Sequence, residues 1–193
     1  MAARTHSADP RAERVRTRLR EASFALAHER AVDELTVSDI VARAEVSRQV
    51  FYQHFSDRDD AIASAFAAEF AQVIADLYGD PRARIVRLFD FAGEHRAMYR
   101  NVVPSAVTQR VVNAFRAQLT PACAEIAEQG VAVVAPIAGL TPEAVTRFLV
   151  GGFTEVLRNW MEEPDTDVAG DARDLRDRVA AAFDTVNALL TLP

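Results

Sequence analysis

Residues with the chemistry to recognise nucleic acid are concentrated in one short stretch of the sequence. Arg48 can donate two parallel hydrogen bonds to a guanine edge, a contact that discriminates against the wrong base by about 1–3 kcal/mol. Gln49 has the amide group that pairs in the same way with adenine, or it simply faces solvent. Tyr52, Gln53 and His54 complete a polar group whose alternative interpretation is an ordinary solvent-exposed surface.

Two short helices joined by a tight turn are needed to hold this polar group in place. Thr36 and Ser47 are both good N-cap residues, because a hydroxyl can accept a hydrogen bond from an otherwise unpaired amide of the first turn. Ser47 can also contact phosphate while it caps the second helix. The apolar or small residues expected on the facing sides are Ile40, Val41, Ala44, Val50, Phe51 and Phe55. This pattern predicts a helix-turn-helix, in which the first helix braces and the second enters the major groove.

Residues 22–62 resemble the N-terminal part of the TetR-type transcriptional regulators. The most specific residues of the resemblance are Val46, Ser47, Phe51, Tyr52, His54, Phe55 and Arg58. Because family members diverge widely in their C-terminal parts, the rest of the chain is interpreted from its own residues. The resemblance implies phosphate contacts, which fix register without reading sequence, by Thr36, Tyr52, His54 and Arg58. Tyr52 and His54 also suit a structural role beneath the second helix.

The sequence departs from the usual pattern of this family at four positions. They are Ala31 and Glu45, where glycine is usual, Gln49, where a small residue is usual, and Ala61, where leucine is common. Glu45 lies in the turn between the two predicted helices. If that position requires a positive φ, a residue other than glycine costs on the order of 1 kcal/mol. Because Gln49 replaces a small residue, the base contacts typical of the family are less readily assigned to this chain.

The charge of the chain is unevenly distributed. The net charge of −6 argues against a protein that coats nucleic acid without specificity, and all 22 basic residues are arginine. Residues 1–20 hold six arginines against two acidic residues, whereas residues 61–193 hold 12 arginines against 17 acidic residues. A basic N-terminal segment on an acidic body suits a protein that touches DNA with one end. A solvated basic helix face is the alternative.

The location expected from the sequence is the cytoplasm. Cys123 is the single cysteine, which excludes an intramolecular disulfide and fits a reducing compartment. The first 20 residues are polar and arginine-rich rather than a secretory signal, and no run of about 18 apolar residues is available to span a membrane.

Enzymatic activity is not expected, because the sequence has no nucleophile elbow, phosphate-binding glycine loop or His-Glu-x-x-His motif. Glu94 and His95 are adjacent, so a single helix face would not present both to a metal ion. One cysteine is too few for a typical structural zinc site. No metal or other cofactor is predicted.

The predicted fold class is all-α, with an N-terminal helix-turn-helix domain and a C-terminal helical domain for ligand binding and dimerisation. We expect a disordered arm over residues 1–10, a DNA-binding domain over 11–60 and a C-terminal domain over 61–193. The first helix should span 11–29. A fourth helix should begin with Ser56 as its cap and continue to Leu77, before a hinge at 79–81.

Further helices are predicted over residues 82–94, 95–102, 141–163 and 171–190. Pro104 opens another helical stretch, which we expect Pro121 to interrupt and Gly130 to end. Residues 131–138 are ambiguous: the run suits a buried strand, but without a partner strand a loop or helix end is favoured.

A small-molecule site in the C-terminal domain is implied by the family resemblance and by the aromatic residues there. His95 and Tyr99 lie one helical turn apart, so they can jointly orient a polar group or bond to backbone instead. An aromatic stripe at helical spacing is also what an ordinary core requires. The candidate ligand residues are Phe91, His95, Tyr99, Phe115, Phe148 and Phe153.

The last two helices are the expected dimer interface, because their apolar stripes exceed the need of one partner helix. Gly151 and Gly152 each cost about 1 kcal/mol relative to alanine within a helix. That cost fits a place where another backbone or a ligand approaches closely, or alternatively a kink beside the core. The candidate interface residues are Gly151, Val156, Trp160, Val179, Phe183 and Val186.

The sequence therefore predicts a homodimeric, cytoplasmic repressor that binds a pseudo-palindromic site on double-stranded DNA and is released by an unidentified small molecule. One alternative is a helical-bundle binding protein or enzyme whose helix-turn-helix is vestigial, which acidic residues such as Glu45 and Asp57 near the expected phosphates favour. Another is a regulator switched by a protein partner, or an activator.

Overall fold

Local N-terminal caps define where most of the helices begin in the computed structural model, which describes residues 10–103, 105–134, 141–163 and 168–191. The helices are α1 (Pro10–Glu29), α2 (Val37–Ala44), α3 (Arg48–Phe51), α4 (Arg58–Val73), α5 (Pro81–Glu94), α6 (Arg96–Val102), α7 (Thr108–Val134), α8 (Pro142–Glu162) and α9 (Val168–Thr191), with a 3₁₀ turn at Val32–Glu34. No strand occurs within these ranges, and the predicted all-α class is confirmed.

The predicted caps Thr36 and Ser47 are confirmed, because each side chain accepts a hydrogen bond from an amide of the first turn, and Thr141 caps α8 in the same way. The prediction for α4 was wrong by one residue. Asp57, rather than Ser56, is the cap, and its carboxylate accepts from the Asp60 amide at 2.7 Å. A carboxylate is favoured there because it is the stronger acceptor and interacts well with the positive end of the helix dipole.

The helix α7 is continuous, so the predicted interruption at Pro121 and the end at Gly130 were wrong. Pro121 is exposed, whereas Leu119, Ala122 and Cys123 beside it are buried. Packing of that buried side offsets the roughly 3 kcal/mol that an internal proline costs. Residues 131–134 are helical rather than a strand or a loop, and the rest of that ambiguous run lies outside the described residues.

The first and fourth helices also differ slightly from their predicted bounds. Pro10 begins α1, and α4 ends at Val73, four residues before the predicted end at Leu77. Gly79 then adopts a φ of +89°, a backbone conformation that glycine accepts without steric cost, in the turn leading into α5. The division at residue 60 stays a prediction, and it falls inside the first turn of α4.

One apolar core runs from the helix-turn-helix into the C-terminal helices. The helix α1 packs against α2 and α4, α4 and α5 pack against α7, and α8 packs between α7 and α9. A chain of ring contacts with centroid distances of 4.9–6.1 Å links these layers through Phe24, Phe66, Phe70, Phe115, Phe89, Phe153 and Phe183. The N-terminal helices and the C-terminal helices are therefore packed on a shared interior.

Within the described ranges, no helix combines the length and the apolar character that crossing a membrane would require.

Candidate nucleic-acid interface

A reciprocal capping arrangement starts α2. The Asp39 amide donates to Thr36 Oγ1 at 3.3 Å, while the Thr36 amide donates to Asp39 Oδ2 at 2.8 Å. The Thr36 hydroxyl donates to the same carboxylate, and Arg30 lies 2.8 Å from its other oxygen. These hydrogen bonds, first from Thr36 and then from Arg30, lower the pKa of Asp39 to about 2. Thr36 thus fixes the start of the helix-turn-helix, and its amide and hydroxyl are already hydrogen-bonded to Asp39 of its own helix.

The turn between α2 and α3 contains the one described residue other than glycine with a positive φ. Glu45 adopts φ 52° and ψ 48°, which is the left-handed conformation considered from the sequence. Its carboxylate lies 3.4 Å from Arg18 and remains highly exposed. The turn therefore carries a backbone cost of about 1–2 kcal/mol that a glycine would not carry.

The helix α3 is a single turn that points its polar residues outward. Ser47 Oγ accepts from the Val50 amide at 3.2 Å, and the rings of Phe51 and Phe55 are buried beneath the turn. Tyr52 is 59% exposed. The other exposed residues of the same surface are Ser47, Arg48, Gln49 and Gln53, while His54 is partly buried. The polar group identified from the sequence thus lies together on one outer face.

Arg48 bridges the two helices of the motif. Its guanidinium donates to the Ser38 hydroxyl on α2, and the residue remains exposed. Ser38 thereby orients Arg48 along the outer surface, and contact of Arg48 with a base edge requires it to exchange this hydroxyl for DNA.

Arg58 has a bracing position that its sequence context did not reveal. Its guanidinium donates to the carbonyls of Asp33 at 3.2 Å and Leu35 at 3.1 Å, and to the Asp59 carboxylate at 2.7 Å. The side chain is 22% exposed. These contacts tie the start of α4 to the segment that leads into α2. Phosphate contact by Arg58 stays a prediction.

The C-terminal end of α1 forms hydrogen bonds with α6 and with His95, the residue that precedes α6. His28 Nε2 lies 3.0 Å from His95 Nδ1, and Asn101 donates to the carbonyl of Ala27 at 2.9 Å. No sequence signal connects these residues, because His28 and His95 are 67 positions apart. The helix-turn-helix is thus joined to the C-terminal helices by hydrogen bonds as well as by the core.

The candidate ligand residues separate into four locations. Tyr99 and Phe115 line one cavity, together with Phe70, Val102, Val103, Thr108, Val111, Val112, Leu157 and Met161. Phe91 and His95 pack on each other at 4.4 Å beside Phe24, on the side of α1. Phe153 lies against Phe89 and Phe183, and Phe148 is 65% exposed. Of this set, Tyr99 and Phe115 share one cavity among the described residues.

The candidate dimer residues are likewise divided. Trp160, Val179 and Phe183 are buried inside their own chain, so they have little surface left for a partner. Gly151, Val156 and Val186 are partly exposed. A Cβ atom built on Gly151 or on Gly152 would meet no neighbour within 4 Å among the described residues, so these residues do not explain either glycine.

The fold and this exposed face define the class of protein as a helix-turn-helix DNA-binding protein. Residues 19–64 match the family described as bacterial regulatory proteins, tetR family. Over these residues the chain is similar to the TetR-type transcriptional regulators, which are a family of regulators rather than of enzymes.

One characterised relative matches part of the chain. The dhaKLM operon transcriptional activator DhaS of Lactococcus lactis is 28% identical over 75 residues. The match covers 37% of this chain and 40% of that protein.

Solved structures share the fold over most of their length. The dihydroxyacetone kinase operon activator DhaS superposes with a TM-score of 0.62 at 16% identity, covering 91% of this chain and 96% of that one. FadR of Bacillus subtilis, solved with stearoyl-CoA, gives a TM-score of 0.57 at 15% identity, covering 84% and 96%. At these identities the likeness concerns the fold.

Proposed function

We propose that the protein is a homodimeric repressor that binds a pseudo-palindromic DNA site through α3 and leaves it when a small molecule binds among the C-terminal helices. The observation that carries the proposal is the common outer face of Arg48, Gln49 and Tyr52 above the buried Phe51. Arg48 and Gln49 read bases, and the hydroxyls of Ser47 and Tyr52 contact phosphates.

A dimer is supported by the surface of α8. Gly151 and Gly152 leave a shallow notch without a neighbour among the described residues, and Val156 and Val186 present apolar surface. Two-fold pairing gives two recognition helices, which fit successive major grooves when they are about 34–36 Å apart.

The ligand response is transmitted by α6. Tyr99 of this helix lines the cavity, while Asn101 of the same helix bonds to the end of α1 at Ala27. Since α1 packs on α2, a displacement of α6 changes the position of the helix-turn-helix relative to the body. A ligand that prefers the displaced arrangement shifts the population away from DNA, with a typical coupling of about 1–3 kcal/mol.

The test is binding to DNA from immediately upstream of the protein's own gene, followed by fluorescence anisotropy across a salt series. Arg48→Ala and Tyr52→Ala are compared with Arg116→Ala, which removes another exposed arginine, from α7. We expect tight, steeply salt-dependent binding that both interface variants weaken and the control retains. Equal loss in all three variants, or no loss in any, would count against α3 as the DNA-contacting element.

Activation is the second candidate function, because the relative and the solved structure named DhaS, to which this chain is similar, are both described as operon activators. Transcription in vitro from the same DNA distinguishes the two. A repressor lowers transcript yield when it is bound, whereas an activator raises it.

A further inference from the structure

The buried hydroxyl of Tyr99 has no hydrogen-bond partner among the described residues. Tyr99 is only 3% exposed, and burial raises the pKa of its phenol far above the ordinary value. The phenol therefore stays neutral and can both donate and accept a hydrogen bond. Buried polar groups in proteins are nearly always paired, so this one indicates a partner from outside the described part of the chain.

The small cavity beside Tyr99 is lined by side chains that carry no charge. The described lining residues other than Tyr99 are Phe70, Val102, Val103, Thr108, Val111, Val112, Phe115, Leu157 and Met161. Thr108 is the one polar side chain in that list, and its hydroxyl already lies 2.8 Å from the carbonyls of Val103 and Ser105. An ion placed here would lose its hydration without gaining a partner of opposite charge. The group that meets the Tyr99 hydroxyl is therefore an uncharged one.

A larger cleft continues from this cavity toward the surface. It has a volume of about 210 Å³, and Tyr99, Val103 and Met161 line both spaces. Arg96 and Arg100 complete the described lining of the cleft. Both arginines already interact with other residues of the chain, so neither is assigned a contact with a ligand. The residues shared by the two spaces give a ligand an apolar surface that leads to the Tyr99 hydroxyl.

The volumes of the two spaces indicate the size of the molecule that they can hold. An engineered apolar cavity of about 150 Å³ binds benzene, so the 210 Å³ of the cleft suits one ring with a small substituent. The inner cavity, at about 20 Å³, has room for roughly one atom the size of a water oxygen. Water itself would need two to four polar contacts there, whereas an oxygen carried by an apolar body needs only the one that Tyr99 supplies.

We propose that the cleft between α6 and α8 binds a small uncharged molecule that has an apolar body about the size of one ring and a single oxygen. The apolar body packs on Val103 and Met161, and the oxygen enters the inner cavity and forms a hydrogen bond with the Tyr99 hydroxyl. The inference rests on the proposed function in one respect, since this ligand is taken to be the molecule that releases DNA.

The test is calorimetry on the full chain without DNA, with four probes that share one benzene ring: toluene, benzyl alcohol, benzoate and benzylammonium. We expect benzyl alcohol to bind more tightly than either ion, because its oxygen enters the cavity without a charge. Tyr99→Phe should weaken the binding of benzyl alcohol about fivefold, the ratio given by one ordinary hydrogen bond, and leave that of toluene unchanged. Tyr78→Phe is the control, because it makes the same change at a tyrosine that is 88% exposed, and it should alter neither affinity.

A second variant tests the position of the apolar body. Val103→Phe places a ring of the chain's own in the cleft, so it should weaken toluene and benzyl alcohol together. The proposal is overturned if an ion binds as tightly as benzyl alcohol, if Tyr99→Phe changes toluene and benzyl alcohol by the same factor, or if Val103→Phe retains both affinities.

Binding to operator DNA is measured separately by anisotropy, with and without benzyl alcohol. Intact operator binding with no probe bound in calorimetry would refute the assigned ligand class and leave the DNA-binding function standing. Normal calorimetry without operator binding would leave the ligand class standing and refute the DNA-binding function. Benzyl alcohol that binds the chain but does not lower its affinity for the operator would refute the link between this site and release.

Discussion

The imidazoles of His28 and His95 meet at 3.0 Å, Nε2 to Nδ1, where α1 of the helix-turn-helix ends against the C-terminal helices. The other nitrogen of His28, Nδ1, lies 3.0 Å from the carbonyl of Phe24. A carbonyl can only accept, so His28 Nδ1 carries a proton, and in the neutral ring Nε2 accepts from His95. The two facing nitrogens therefore share one hydrogen bond, with one nitrogen as donor and the other as acceptor. When both imidazoles are protonated, both nitrogens are donors and the hydrogen bond is lost.

Acidification is expected to weaken this junction. Burial first, and then the neighbouring charge of His28, lowers the pKa of His95 below 6.5, with Arg87 lowering it further and Glu94 opposing. Glu69 of α4, whose pKa is itself raised by burial, also faces His28. Because the unfolded chain binds the His95 proton first, the stabilisation is complete above pH 6.5 and is lost as the pH falls through the lowered pKa of His95.

The measurement is urea unfolding at a series of pH values from 7.5 to 5, a range set by the titration of histidine at about pH 6.5. His95→Gln should flatten the decline in the free energy of unfolding between these limits. His54→Gln is the matched control, because it removes a partly buried histidine that lies outside the junction. An identical decline in the His95 variant and the wild type would contradict the assignment.

The cap of α2 should carry a measurable share of stability. Thr36→Ala removes the acceptor of the Asp39 amide and one hydroxyl donor, so we expect the free energy of unfolding to fall by about 1 kcal/mol. Thr120→Ala is the control, because that hydroxyl bonds to the Arg116 carbonyl within α7 and caps nothing. Equal losses in the two variants, measured by chemical denaturation, would show that capping is not the cause.

The left-handed turn at Glu45 predicts a stabilising substitution. Glu45→Gly should raise the free energy of unfolding by about 1 kcal/mol, since glycine adopts a positive φ without a Cβ clash. Glu45→Ala removes the same charge and the same contact with Arg18 but keeps the strain, so the difference between the variants isolates the backbone contribution. A stability of the alanine variant equal to that of the glycine variant would rule out backbone strain as the reason.

The helix-turn-helix was predictable from sequence because its determinants are local. Thr36 and Ser47 lie directly before the helices they cap, and the buried Phe51 and Phe55 are one turn apart. Local competition also explains the error at Ser56, since two adjacent residues could both cap α4 and the sequence did not reveal that Asp57 has the better geometry.

Features that depend on distant residues were not predictable in the same way. Arg58 was assigned to phosphate from its place in a motif, whereas its hydrogen-bond acceptors at Asp33 and Leu35 are set by the packing of α4. The continuity of α7 through Pro121 depends on the buried surface opposite that proline. Among the aromatic residues proposed for a ligand, sequence periodicity could not separate Tyr99 beside its cavity from Phe153 in the core.

Because no described residue pairs with the buried Tyr99 hydroxyl, we expect its removal to stabilise the protein, whereas most substitutions in the interior destabilise. Tyr99→Phe should raise the free energy of unfolding of the ligand-free protein by about 1 kcal/mol, because it removes a buried polar atom that has no hydrogen-bond partner among the residues that the structure describes. Phe115→Leu in the same cavity wall should lower it, since that ring makes close contacts with Phe70 and Phe89. Destabilisation by Tyr99→Phe would mean that the hydroxyl is already paired in the free protein.

Substitutions at the glycine pair of α8, Gly151 and Gly152, should have opposite effects on the stability of the single chain and on dimerisation. Within one chain alanine fits at Gly151 and at Gly152, because a Cβ meets nothing within 4 Å in the described part of the chain, and each change should favour the helix by about 1 kcal/mol. If a second copy of α8 packs on this notch, the same methyl groups hold the two backbones apart and dissociate the dimer. We therefore expect Gly151→Ala with Gly152→Ala to raise the dimer dissociation constant in sedimentation equilibrium. Arg173→Ala, an exposed change on α9, serves as the control and should leave that constant unchanged. A double variant that dimerises like the wild type would place the interface elsewhere.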